Sequence, residues 1–156
     1  MRRQKTYFET EPGAPPPVQA TVRHRVSFSE VDAMAIAWHG RYLQFFEKAS
    51  EALGRLVGLS YEDYREAGLR GPVVQAHVDY YEPAVLAETL IVTARWVWCE
   101  ATRLDTEYTV LKENGRIGAT GYTVQMFTDG ETGEPRLTDP PILEQCRRRW
   151  RDGAFH

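Results

Sequence analysis

The chain has 156 residues, of which 42% are hydrophobic and 26% charged, and its formal net charge at pH 7 is −3. This length and composition predict one soluble globular domain that can bury a sizeable core. The small net charge argues against a nucleic acid or a membrane surface as partner, and no stretch approaches the roughly 20 apolar residues that span a bilayer.

The first 20 residues are predicted to form a flexible N-terminal arm. Residues 1–20 are polar and then rich in proline, which is typical of an extended, flexible segment and not of an apolar signal peptide. Regular structure is predicted to begin at Thr21, where alternation with a period of two indicates a strand. Its inward positions would be Val22, His24, Val26 and Phe28.

A long helix follows, entered through a loop that carries one acid, Asp32. One helical face is apolar at the spacing i, i+3, i+4, i+7, and Gly58 is the expected C-terminal stop. This face contains Tyr42, Phe45, Phe46, Ala49, Leu53, Leu56 and Val57. The loop residues 33–37 are apolar, which is unusual because connecting loops are normally polar.

A short helix is predicted over residues 60–67, with Ser60 as its cap and Asp63 as the acid of a capping box. Four strands are expected after it, over residues 73–81, 89–99, 102–112 and 117–128. The dipeptide Asn114-Gly115 predicts a hairpin between the last two strands.

A last helix is predicted to begin at Pro140 or Pro141, capped by Asp139. Its three arginines, Arg147, Arg148 and Arg149, either meet phosphate groups or form a solvated helix end matched to the helix dipole.

These elements predict an α+β fold in a single domain over residues 21–150. The first strand and a four-strand antiparallel meander would form a five-stranded sheet, and the long helix would cover it. The strand at 89–99 is apolar on both faces, so self-association into a homodimer or homotetramer is expected. The alternative is a monomer whose C-terminal helix covers the remaining apolar surface.

The helix start and Asp32 together suggest chemistry at a carbonyl group. A helix N-terminus supplies free N–H donors and the positive end of a dipole, which suit an oxyanion. Asp32 lies about seven residues earlier, and the apolar loop between them can exclude water and raise the pKa of the acid while leaving it a base. On the residues alone, Asp32 is either such a base or a structural hydrogen-bond acceptor.

Several short motifs resemble a known enzyme family. They are Arg25-Val26, Val31-Asp32-Ala33, Ile36-Ala37-Trp38-His39-Gly40-Arg41-Tyr42-Leu43, Phe45-Phe46-Glu47 and Val78-Asp79-Tyr80-Tyr81-Glu82-Pro83-Ala84. Together they are similar to the hot-dog-fold thioesterases of the 4-hydroxybenzoyl-CoA thioesterase type, over roughly residues 21–145. The resemblance implies the hot-dog fold, in which a five-stranded antiparallel sheet wraps around one long central helix. It also implies an acyl thioesterase for coenzyme A or carrier-protein esters, with no cofactor and a site between two subunits.

The resemblance assigns roles to single residues. Asp32 would be the nucleophile or general base, and the backbone N–H of His39 would polarise the thioester carbonyl. The chain departs from the family at Ala35, where the family has glycine. It also has Trp98-Cys99-Glu100-Ala101 where some relatives carry a basic cluster for the nucleotide phosphates, which leaves a carrier-protein ester open.

Four further residues are candidate substrate contacts. Ile36, Trp38 and Tyr42 are expected along the acyl or pantetheine path, although aromatic residues at this spacing also fit a core. His77 is either a substrate contact or a hydrogen-bonded core histidine, on a strand expected under the helix. The imidazole of His39 either binds substrate or is structural.

Two other functions compete with hydrolysis. A hot-dog hydratase or dehydratase would pair the acid and a histidine at a closer spacing than Asp32 to His39, and a non-catalytic acyl-ligand binder would normally lack the acid. The cysteines, Cys99 and Cys146, are interpreted as unpaired thiols of a reducing cytoplasm. No metal is expected, because the histidines and cysteines lack ligand spacing.

Overall fold

The computed structural model describes residues 5–156. Its helices are α1 (Tyr42–Val57), α2 (Tyr61–Glu66) and α3 (Pro141–Arg151). Its strands are β1 (Val18–Arg25), β2 (Leu69–Arg70), β3 (Val73–Tyr80), β4 (Thr89–Val97), β5 (Arg103–Leu111), β6 (Ile117–Met126) and β7 (Thr128–Asp129). Single turns of 3-10 helix, Phe28–Glu30 and His39–Arg41, flank the loop before α1. In this part of the chain no helix is long and apolar enough to cross a membrane.

Five of the strands form one antiparallel sheet in the order β1-β4-β5-β6-β3, which confirms the predicted architecture. The prediction of a four-strand meander is wrong, because β3 pairs with β6 at the far edge and β4 pairs with β1. The reason lies in residues 81–88, which leave β3, contain Pro83 and bind the loop in front of α1. They therefore cross to the other edge of the sheet instead of turning back along β3.

α1 lies on one face of this sheet and buries most of the apolar stripe predicted for it. The Phe46 ring stacks on Tyr108 of β5, with centroids 4.4 Å apart and planes inclined by 3°. Burying one such side chain stabilises the fold by about 1.5–3 kcal/mol. At Gly121 of β6, an added Cβ would lie 2.6 Å from the Phe46 ring, so glycine lets the helix approach. Leu56 was predicted in the stripe but is 49% exposed, because it lies at the edge of that face.

α2 has the cap that the sequence predicts. The Ser60 hydroxyl accepts a hydrogen bond from the Asp63 N–H at 3.2 Å, and the Asp63 carboxylate accepts one from the Ser60 N–H at 2.9 Å. Both bonds satisfy N–H groups that have no partner inside the helix.

α3 differs from its prediction at its first turn. Asp139 does not cap the helix, because its carboxylate accepts hydrogen bonds from Arg147 and from the Thr102 hydroxyl, both at 2.6 Å. Arg147 is consequently buried and not solvated. Further along the helix, Trp150 packs on Trp96, with centroids 4.4 Å apart. The apolar β4 that motivated the prediction of self-association is thus partly covered within one chain.

The segment before β1 contacts two parts of the fold, since Tyr7 lies against the sheet face opposite α1 and Pro16 contacts α3. Tyr7 donates a hydrogen bond to Asp79 at 2.7 Å, and Trp150 donates one to the Pro16 carbonyl at 2.7 Å. β1 begins at Val18 instead of Thr21, and Phe28, predicted inside this strand, is 82% exposed in the turn after it. Residues 1–4 of the predicted arm lie outside the described residues, and the flexibility of the arm stays a prediction.

Candidate functional site

Residues 30–38, here named the acid loop, form a tight hairpin between β1 and α1. The Trp38 N–H donates to the Glu30 carbonyl at 2.8 Å, and the Asp32 N–H donates to the Ile36 carbonyl at 2.9 Å. One arm of the hairpin carries the acid, and the other leads directly into the helix start. The predicted acid and the predicted oxyanion donor therefore belong to one hydrogen-bonded unit.

The Asp32 carboxylate is held by its own loop. Oδ1 accepts a hydrogen bond from the Met34 N–H at 2.8 Å, and the Asp32 carbonyl accepts one from the Ala35 N–H at 3.0 Å. Among residues 5–156, no side chain bonds to this carboxylate, so Oδ2 is available to water or a ligand. The prediction of a water-excluding loop is wrong for the single chain, since Ala33, Met34 and Ala35 are exposed.

Ala35 has a backbone conformation that normally favours glycine. Its φ is 60°, in the left-handed region, which costs a residue with a Cβ about 1–2 kcal/mol. The segment after β3 holds Ala35 in this conformation. The Leu86 N–H donates to the Ala35 carbonyl at 3.1 Å, and the Ala37 N–H donates to the Ala84 carbonyl at 2.8 Å. Backbone strain of this kind concentrates at functional sites.

The helix start is built by Trp38 and the turn His39–Arg41. Trp38 has φ −63° and ψ 134°, and α1 continues from the turn. The first N–H groups of such a helical run have no carbonyl one turn earlier, so they point outward from its positive end. The Tyr80 hydroxyl of β3 donates to the His39 carbonyl at 2.7 Å, which fixes this peptide from the sheet side.

The predicted substrate contacts are not all brought to this site. Trp38 is 47% exposed, and its ring covers Gly40, where an added Cβ would clash with it. Ile36 is partly buried and bridges Val85. Tyr42 was predicted on the substrate path, but it is 2% exposed in the core, where burial raises the pKa of its hydroxyl. Tyr42 is thus a packing residue.

His77 lies on the other face of the sheet. Its Nε2 is 3.1 Å from the Asp79 carboxylate, and its ring stacks on Tyr122 with centroids 5.5 Å apart. The expectation that it faces the helix is wrong, because alternation along β3 places Ala76 and Val78 on the helix side. Within one copy, His77 does not meet the acid loop.

A groove beside α1 was missed by sequence reasoning. Its volume is about 220 Å³, and it is lined by residues that include Leu43, Glu47 and Ser50 of α1 together with Tyr108 and Thr123 of the sheet. None of the four predicted substrate contacts lines it. The sequence did contain a signal for this groove: residues 43, 47 and 50 are spaced so that they share one helical face of α1, beside the buried apolar stripe.

Glu47 is the ionisable group of the helix in this groove. Partial desolvation by the groove walls and then the charge of Glu51 raise the pKa of its carboxyl. Raised values of this kind are common where side chains meet ligands, although packing alone also produces them.

Comparisons with known proteins show the family and the fold of the chain. Residues 26–146 match the profile of the Thioesterase-like superfamily. YneP of Bacillus subtilis (strain 168), provisionally assigned as an acyl-CoA thioesterase, is 34% identical over 67 residues, covering 43% of this chain and 49% of YneP. The chain thus spans about half the length of that curated relative.

Two solved structures show the same fold. DHNA-CoA thioesterase from Staphylococcus aureus superposes with a TM-score of 0.75 at 22% identity, over 86% of this chain and 95% of that chain. SAV2348 from the same organism, a hypothetical protein solved in complex with CoA, superposes with a TM-score of 0.76 at 17% identity, over 90% of this chain and 88% of that chain.

The long helix, the five-stranded antiparallel sheet and the acid loop before the helix define a hot-dog protein of the thioesterase kind. The chain belongs to the Thioesterase-like superfamily. This confirms the family resemblance and the hot-dog fold that it implied.

Proposed function

We propose that the protein hydrolyses acyl-CoA thioesters, with Asp32 as general base or nucleophile and the N–H of His39 as donor to the thioester carbonyl. The observation that carries this proposal is the acid loop itself. Its cross-strand hydrogen bonds tie the acid to the segment that ends at Trp38, directly before the first helical N–H at His39. One oxygen of the Asp32 carboxylate has no protein donor among residues 5–156.

Each group answers one requirement of the reaction. Hydrolysis needs an attacking oxygen, which Asp32 supplies either by deprotonating water or by attacking the carbonyl carbon itself. The charge that develops on the carbonyl oxygen needs a donor already in place, which the N–H of His39 and the positive end of α1 supply.

Collapse of the tetrahedral intermediate then expels the thiolate of coenzyme A, which takes up a proton to become the thiol. If Asp32 acts as base, the attacking water has already become part of the free acid. If Asp32 is the nucleophile, the acyl group remains on Asp32 as a mixed anhydride, which a water molecule then hydrolyses to the free acid and the original carboxylate.

The groove beside α1 is our candidate for the acyl site. Leu43, the first residue of α1 that lines the groove, lies about one helical turn after His39, so an acyl group extending from the carbonyl along α1 would reach it. Coenzyme A is the proposed thiol because it is named for YneP and present in the SAV2348 structure. An acyl carrier protein is the alternative thiol, which the experiment below separates.

The proposed active unit is a homodimer or a dimer of dimers. β3 has one neighbour in the sheet, and its Val73 and Val74 are about half exposed. An unpaired edge with apolar side chains is the type of surface that a second copy covers. Tyr80, at the other end of β3, is also half exposed and binds the His39 carbonyl, so a partner along this edge would also lie beside the helix start.

A thiol-release screen tests the proposal. The purified chain would be assayed with acyl-CoA and acyl-carrier-protein esters of different chain length and ring content, and we expect free thiol and free acid in equal amounts. Hydration of a crotonyl-type ester without thiol release would establish the lyase alternative. Saturable binding of these esters without turnover would establish the non-catalytic binder.

A further inference from the structure

We propose that Glu30 is a positioning residue, whose carboxylate holds the acid loop and the helix start in one geometry without touching the substrate. This inference rests on the proposed function, because it assigns Glu30 to the same site. Glu30 lies two residues before Asp32, at the base of the acid loop, and its backbone and its side chain bind different parts of the molecule.

The carboxylate of Glu30 is almost enclosed and collects three donors on one oxygen. Oε1 accepts hydrogen bonds from the Ser27 N–H at 2.8 Å, the Ser27 hydroxyl at 3.0 Å and His24 Nε2 at 2.8 Å. The side chain is 12% exposed. A carboxylate with this set of donors has one orientation, so it fixes the backbone from which it extends.

The charge of this carboxylate is maintained. Burial acts to raise the pKa of Glu30, but the Ser27 N–H and the His24 imidazole outweigh burial and hold the pKa below its usual value. Glu30 is therefore an anion at neutral pH, and its hydrogen bonds are charge-assisted.

The backbone of the same residue closes the acid loop. The Glu30 carbonyl accepts the Trp38 N–H at 2.8 Å, and Trp38 directly precedes His39. One residue thus anchors both ends of the segment that contains the base and the oxyanion donor. A displacement of Glu30 would move Asp32 and the N–H of His39 together with it.

A second bond extends this anchor to α1. The Nδ1 of His24 lies 2.8 Å from Lys48 Nζ, and the His24 ring packs on Phe45 with centroids 4.7 Å apart. Lys48 donates and Nδ1 accepts, so Nε2 carries the proton that is donated to Glu30. These two hydrogen bonds, from Lys48 to His24 and from His24 to Glu30, connect α1 to the acid loop in front of it.

The protein contains a matched control. Asp63 accepts hydrogen bonds from the N–H and hydroxyl of Ser60, at 2.9 and 2.7 Å, in the same arrangement as Glu30 and Ser27. Its bonds stay within the start of α2. Asp63→Ala therefore removes the same kind of local bond without touching the acid loop.

The experiment compares Glu30→Ala, Glu30→Gln and Asp63→Ala by acyl-CoA turnover and by amide hydrogen exchange. We expect Glu30→Ala to lower kcat by about 10–100-fold with little change in KM, because displacements near 1 Å at a reacting group cost up to about 10² in rate. Glu30→Gln keeps the acceptor oxygen and should restore most of kcat. Exchange at the Trp38 amide should accelerate in Glu30→Ala and remain unchanged in Asp63→Ala.

Three results would overturn the proposal: an unchanged kcat and unchanged Trp38 exchange in Glu30→Ala, an equal loss of kcat in Asp63→Ala, or an equal loss in folded Glu30→Gln. If the wild-type protein releases no thiol from any ester, the proposed function fails. The exchange measurement then still decides whether Glu30 holds the loop.

Discussion

The pairs Ser27–Glu30 and Ser60–Asp63 are the same local arrangement in two regions of the molecule. In each, an acid accepts hydrogen bonds from the N–H and the hydroxyl of the serine three residues earlier. The bonds around Asp63 cap one short helix. Those around Glu30 continue to His24 and, through its carbonyl, to Trp38. An identical local motif thus becomes part of a site only where tertiary contacts extend it.

This comparison predicts that turnover changes when a bond to the acid loop or to the helix start is removed, whereas matched changes at residues not bound to either leave turnover unaltered. After Asp32→Asn, which removes the proposed base or nucleophile, the largest effect is expected from His39→Pro, which deletes the proposed N–H donor. Proline is tolerated at the first helical position, and the extended ψ of 134° at Trp38 suits a residue before proline. We expect kcat to fall by about 10²–10³.

His39→Ala is the control for that deletion, since it removes only the imidazole and keeps the N–H. It should lose far less turnover. A larger loss in His39→Ala than in His39→Pro, with helix content unchanged by circular dichroism, would transfer the role to the side chain.

A smaller effect is expected from Tyr80→Phe, which removes the hydrogen bond to the His39 carbonyl. One neutral hydrogen bond contributes about 0.5–1.5 kcal/mol, so kcat should fall by about 2–10-fold. Tyr81→Phe is the matched control, because the Tyr81 hydroxyl lies 3.3 Å from Thr120 on the opposite face of the sheet. Steady-state kinetics should show that Tyr81→Phe retains kcat, and equal losses in both variants would remove Tyr80 from the site.

Replacing Ala35 by glycine is expected to stabilise the fold while lowering turnover. Ala35 and Ala87 have φ of 60° and 68°, so glycine at either position relieves strain. After the entropy cost of glycine, each substitution should stabilise by about 0.5–1 kcal/mol and raise the melting temperature by about 1–4 °C. Calorimetry and kinetics should show similar stabilisation in both variants but reduced kcat only in Ala35→Gly. A melting temperature lowered by Ala35→Gly would contradict the strain argument.

The smallest effect on turnover is expected at Asp79 on the outer face. The Lys5 ammonium, the Tyr7 hydroxyl and His77 hold the pKa of this carboxyl well below its usual range. A lowered folded-state pKa stabilises the fold above the unfolded-state pKa of about 3.9, and that stabilisation is lost as pH falls toward the folded-state pKa. Urea denaturation below about pH 4 should therefore show a steeper loss in the wild type than in Asp79→Asn. Parallel pH profiles would refute this assignment, and kcat at neutral pH should be the same in both.

Local patterns predicted the elements of this fold well, because helical and strand periodicity are properties of adjacent residues. α1 and its stop at Gly58, the Ser60 cap and the turn at Gly115 all follow from such patterns. The position of β3 did not, since it depends on how residues 81–88 bind the acid loop, which is a contact between distant segments.

The site was predictable only in part for the same reason. The roles of Asp32 and of the His39 N–H came from the family resemblance, and they stay predictions. Glu30 carries the same serine–acid pattern as Asp63, but extending the predicted β1 to Phe28 concealed it. Tyr80 and the groove beside α1 depend on which strand lies next to the helix, and no local pattern specifies that.

The most direct test of the central claim is the turnover of Asp32→Asn. Asparagine keeps an oxygen that can accept the Met34 N–H, so the loop and the melting temperature should change little. It removes the anion that acts as base or nucleophile, and such losses lower rates by about 10²–10⁴. We therefore predict that the variant binds a non-hydrolysable acyl-CoA thioether but releases thiol from acyl-CoA at least about 10²-fold more slowly than the wild type. Near-wild-type turnover would make Asp32 a structural residue and contradict the proposed mechanism.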